Sequence, residues 1–137
     1  MTTVHSLPSK RDLPSRLQRV FMSRDLELFP RDENGDALWN MHSQGDDLAI
    51  AREIDFSIIF PDEDSAIRFA VHLLRNDQKV SFSAYEGNDE LPWQVTVHPL
   101  MLPAHENISG FEALLASESE RFGGRIDGWG CMAQDAA

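Results

Sequence analysis

The residues of this 137-residue chain best equipped for chemistry are a histidine and several carboxylates within alternating segments. In the run Trp93–His98, Gln94, Thr96 and His98 alternate with Trp93, Val95 and Val97. Asp55 and Ser57 alternate with Ile54, Phe56 and Ile58, and Asp127 follows Ile126 near the end. An imidazole oriented by a carboxylate can take a proton from a hydroxyl such as Ser57 or Thr96. No spacing marks either hydroxyl as activated, so the sequence points away from catalysis. His98 and His105 bracket Pro99 and Pro103, with Glu106 and Cys131 as further donors, but the spacing fits no compact zinc pattern. His42 and His72 stand elsewhere, and no metal is expected. Gly35, Gly87 and Gly123-Gly124 lack the spacing and following lysine of a phosphate loop, so no nucleotide cofactor is expected either.

These side chains need elements to hold them. Ile54–Phe60 alternates as a strand with one buried face, and Pro61 stops it. Asp62 can cap a helix with Glu63 and Asp64 in its first turn; Ala66, Ile67, Ala70, Val71, Leu73 and Leu74 give that helix an apolar stripe. Val80–Tyr85 and Trp93–His98 read as two further strands. The short Gly87–Glu90 connection makes them antiparallel neighbours. After Pro103, Ile108, Phe111, Leu114, Leu115 and Phe122 trace a second helix, ended by Gly123-Gly124. Arg125–Met132 is a final strand with Gly128 and Gly130 as bulge sites. Upstream, Leu13–Leu28 has imperfect helical spacing, and Asp32–Asp36 reads as a turn.

The order strand, helix, strand, strand, helix, strand predicts an α+β, ferredoxin-like split β-α-β sandwich: an antiparallel sheet with both helices on one face. Residues 1–44 form an N-terminal tail and accessory segment, 45–132 the domain, and 133–137 a short tail. Alternation then sends Asp55, Ser57, Ser81, Ser83, Tyr85, Thr96 and His98 to the face away from the helices. The same parity groups Asp127 with Trp129 there and Ile126 with the core. Such a face either binds a ligand or protein, or is a solvated surface with incidental aromatics. Trp129 either anchors the last strand or serves as a contact residue.

Charge narrows the partners. The chain carries 12 basic and 23 acidic side chains, net −11. Residues 1–31 hold six basic and three acidic, net +3, leaving six and twenty, net −14, for residues 32–137. A body that acidic repels phosphate backbones and suits a basic protein surface. Cys131, the single cysteine, excludes an intramolecular disulfide. No signal-peptide pattern or membrane-length apolar run is present in the sequence, so a cytoplasmic protein is expected.

Gly45-Asp46-Asp47-Leu48, Arg52-Glu53-Ile54-Asp55-Phe56, Phe60-Pro61, Trp93–His98 and Gly124–Cys131 together form an ordered set. This set, and above all Asp127-Gly128-Trp129-Gly130, resembles the regulator of ribonuclease activity B family, also called the ribonuclease E inhibitor family. The resemblance implies a ferredoxin-like domain that binds an endoribonuclease and modulates RNA decay by protein contact, without catalysis. Asp55, Thr96, His98, Asp127 and Trp129 are the candidate contact residues, with Gly128 and Gly130 as structural glycines. The alternative is a small-molecule binder or enzyme using the polar sheet face.

Overall fold

A computed structural model describes residues 23–135. Helix α1 spans Glu33–Ser43, strand β1 Arg52–Glu53, β2 Asp55–Phe60, helix α2 Glu63–Arg75 and β3 Val80–Ala84. Then come β4 Trp93–Val97, β5 Leu100–Met101, helix α3 His105–Glu120 and β6 Arg125–Gly130. Strands β3-β4-β2-β6 form an open antiparallel sheet in that order, while β1 and β5 make a separate two-stranded ribbon. The fold is therefore α+β.

Alternation sets the core. Phe56, Ile58 and Phe60 stand opposite Val97, Val95 and Trp93, which in turn stand opposite Val80, Phe82 and Ala84. Against this face α2 buries Ala66, Phe69 and Leu73, and α3 buries Ile108 and Leu115. Phe56 meets Phe111 of α3 at 4.9 Å between ring centroids, and Phe60 meets Phe69 of α2 at 5.3 Å. Each fully buried ring or branched side chain contributes roughly 1.5–3 kcal/mol, so this face is where the fold's stability lies.

The Asp32–Asp36 segment, expected as a turn, is instead the start of α1. The same residue types that favour turns also cap helices. Asp32 accepts a hydrogen bond from the Gly35 amide at 2.7 Å, and Leu38 of α1 is fully buried in the common core. Gly35 is buried because the helix packs directly on Pro30; a β-carbon there would run into the Pro30 carbonyl oxygen. Of the helix expected over Leu13–Leu28, residues 13–22 lie outside the described residues. The remainder is a turn rather than a helix, closed by the Phe29 amide donating to the Asp25 carbonyl at 2.8 Å. Arg24 fixes it by donating to the carbonyls of Phe29 and Pro30 and to Asp36.

Candidate functional site

The polar face of the sheet assembles from β2, β3 and β4. Asp55 begins β2, Ser81 lies in β3, and His98 directly follows β4. The pairing of Val80 with Val97, and of Val97 with Phe56, brings their neighbours into one cluster. His98 Nδ1 lies 2.7 Å from Asp55 Oδ1, and its Nε2 lies 2.9 Å from Ser81 Oγ. A carboxylate only accepts, so Nδ1 carries a proton; in the neutral imidazole Nε2 then accepts from the Ser81 hydroxyl. Thr96 sits beside them, its Oγ1 3.4 Å from Ser57 Oγ. Three of the expected contact residues, Asp55, Thr96 and His98, are thus brought together. Ser81 shares their face by parity, but its bond to His98 depends on a strand register that one strand's sequence does not contain.

Chemically, the Ser81–His98–Asp55 chain has the connectivity by which a hydroxyl can pass its proton to an imidazole held by a carboxylate. Glu53, Asp55 and His98 each offer one ligand atom within 4.8 Å of the others, and are the residues that could hold a cation. Glu53 is already paired with Lys79 Nζ at 2.8 Å, and His98 Nδ1 with Asp55. A cation would have to displace both contacts.

Asp127 lies farther along the sheet. A bulge separates the β2–β6 pairs Ser57–Gly128 and Ile58–Ile126, leaving Asp127 without an opposite residue. Gly128 adopts φ 142°, a backbone conformation that side chains resist. The Asp127 carboxylate draws on the Tyr85 phenolic proton, and this pull, with burial and the carboxylate's charge, raises the phenol's pKa.

The bulge also corrects the expected grouping of Asp127 with Trp129. One extra residue reverses the alternation, so Trp129 stands opposite Phe56 and packs on the core side. Its Nε1 donates to Asn34 Oδ1 in α1 at 2.8 Å. Asn34 in turn donates to Ser109 Oγ and Glu112 Oε1 of α3. Ile126 packs against the core as expected.

A second cluster explains the Gly45–Leu48 and Arg52–Phe56 segments. Arg52 Nη1 lies 2.8 Å from both oxygens of Asp46, and the two side chains are 4% and 3% exposed. The guanidinium also donates to the carbonyls of Asp47, Ile50 and Met132. Asp46 accepts from the Gln134 amide, and the Asp47 amide donates to the Gln134 carbonyl at 2.7 Å. The pair therefore clamps the segment after β6 onto the loop before β1. Nearby, burial pushes the Cys131 thiol pKa up, against the pull of Arg52.

Among the described residues, no helix is long and apolar enough to cross a membrane. No curated protein matches this chain. The family model for regulator of ribonuclease activity B matches residues 31–131. That span runs from the Asp32 cap of α1 through the Asp46–Arg52 clamp to the Asp127–Gly130 bulge, and by it this chain belongs to the regulator of ribonuclease activity B family.

Proposed function

We propose that this chain is a non-enzymatic regulatory protein that binds an endoribonuclease and inhibits it by protein–protein contact. The family match over residues 31–131 carries the reading. The net charge of −14 after residue 31 supports a basic protein surface as partner, with no direct nucleic-acid or membrane contact. The proposed contact face is the polar side of the sheet, where Asp55, Thr96, His98 and Asp127 meet the partner; Trp129 holds β6 in place from beneath. The strand order, with both helices on one face, supports a ferredoxin-like split β-α-β arrangement. In this reading the protein works in the cytoplasm and needs no cofactor.

The test is affinity capture with the full chain, followed by a cleavage assay using the captured endoribonuclease. The expected result is recovery of an endoribonuclease whose RNA cleavage slows as the chain is added. An Asp55→Lys, Asp127→Lys variant should lose both effects while keeping its fold. Capture of no endoribonuclease, or capture without inhibition, would overturn the proposal.

The Ser81–His98–Asp55 chain favours one second reading, an acyl-transfer or hydrolytic enzyme acting at the sheet face. A serine-directed fluorophosphonate probe decides it. Labelling that disappears in both Ser81→Ala and His98→Ala would establish an activated serine, and absence of labelling would dismiss one.

A further inference from the structure

Helix α2 carries more apolar surface than the core uses. Ala66, Phe69, Ala70 and Leu73 are buried, yet Ile67, Val71 and Leu74 form a second row that is 42%, 37% and 55% exposed. Beside that row run Arg68, His72 and Arg75, spaced four and three residues apart so that they too share a face. Phe122, after α3, meets the rows from the other side, and Arg121 lies next to it. All of these residues but Leu74 line a groove of about 490 Å³.

The groove gathers positive charge on a negative body. Of the six basic residues after residue 31, three (Arg68, Arg75 and Arg121) line it. Two of the others are engaged elsewhere, Arg52 in its buried pair with Asp46 and Lys79 with Glu53. Among the described residues, Arg75 and Arg121 make no ion pair, and Arg68 only approaches the exposed Asp64 at 3.8 Å. The guanidinium carbons of Arg68 and Arg121 stand 5.8 and 5.0 Å from the centre of the Phe122 ring. Arg121 Nη2 donates to His72 Nδ1 at 3.4 Å, and His72 Nε2 faces Glu118 at 3.3 Å. Arg121 is thus held in place on its ring.

We propose that this groove docks an acidic, apolar-bearing peptide segment of a partner protein. Guanidinium groups recognise carboxylates through paired N–H donors, and the Ile67–Val71 row with Phe122 takes an apolar side chain between them. RNA is the weaker fit: a polyanion would leave this one patch and meet the negative remainder of the body. The surface is separate from the polar sheet face, and the inference does not depend on which partner that face binds.

The experiment uses fluorescence polarisation with the full chain and three labelled probes. These are a peptide alternating Glu with Leu and Phe, its Gln-for-Glu counterpart, and a single-stranded RNA oligonucleotide. The acidic peptide should bind at least about tenfold more tightly than the other two. Arg75→Glu with Arg121→Glu, both exposed positions, should weaken it by about tenfold or more, as should the milder Arg75→Gln, Arg121→Gln pair to a smaller degree. Amide chemical-shift changes on the unmodified chain should map to α2 and the region around Phe122. Equal binding of the Gln peptide, tighter binding of the RNA, shifts elsewhere, or no binding of the acidic peptide would overturn the proposal.

Discussion

The indole Nε1 of Trp129 and the side-chain oxygen of Asn34 stand 2.8 Å apart, tying the last strand of the sheet to the first helix. Replacing Trp129 with phenylalanine keeps most of the packing but leaves that oxygen without its donor. We expect a loss of about 1 kcal/mol in urea unfolding, against about 3 kcal/mol for Trp129→Ala, which also opens a cavity. No loss in Trp129→Phe would mean that the hydrogen bond contributes nothing.

Arg52→Ala should be the more damaging change. It leaves the Asp46 carboxylate buried without a counter-charge and strips donors from three carbonyls. A loss of about 3–5 kcal/mol is expected in the same assay, with partial recovery when Asp46→Ala is added. A loss below about 1 kcal/mol would show that the clamp is dispensable.

Gly35→Ala should reverse the usual rule. Inside a helix, alanine normally stabilises by about 1 kcal/mol relative to glycine. Here the added carbon meets the Pro30 carbonyl, so the variant should lose about 1–3 kcal/mol. A raised melting temperature would refute the packing of α1 on Pro30.

Tyr85 is the chain's one tyrosine, so its phenolate absorbance reports a single site. The pull of the Asp127 carboxylate on its proton keeps its pKa above the ordinary 10.0. Asp127→Asn removes the charge and should move the absorbance titration back down toward 10.0. An unmoved curve would separate the two side chains.

Two helix caps set an acid limb. The Gly35 amide and then His105 hold the Asp32 carboxyl below its ordinary range, and Ser65 does the same for Asp62 through its amide and hydroxyl. Both pKa values are depressed by folding. Their contribution is therefore present above the ordinary carboxylate value and is lost as pH falls through the lower folded value. Asparagine also caps helices but does not titrate. Relative to Asp32→Asn, Asp62→Asn, the unmodified chain should lose stability as pH falls through and below the ordinary carboxylate range. Parallel urea midpoints for the two proteins across that range would contradict the assignment.

Much of this architecture was legible from alternation. The Ile54–Phe60 pattern located β2, and Asp62 followed by acidic residues located the start of α2. The short Gly87–Glu90 connection implied the antiparallel β3–β4 pair. At the sheet face, alternation also grouped Asp55 and Thr96 with His98. The face that Trp129 takes is not legible because a bulge is a property of two strands together; a sequence rich in glycine permits one without saying where the extra residue falls. The Ser81–His98 bond is not legible for the same reason, since register belongs to the pair. The first turn of α1 reads as a turn in the sequence because Asp, Asn and Gly serve caps and turns alike. The β1–β5 ribbon, two residues on each side, is too short to show a period.

The antiparallel pairing of β2 with β6 joins residues 55–59 to residues 125–130, and the loop at Asp46 is closed by Gln134 and Asp135. For a chain leaving the ribosome in order, the central strand therefore waits for one of its two neighbours until nearly all of the domain has been synthesised. Assembly of the sheet is a late event governed by distant contacts. Until β6 arrives, one edge of β2 stays open to the wrong partner.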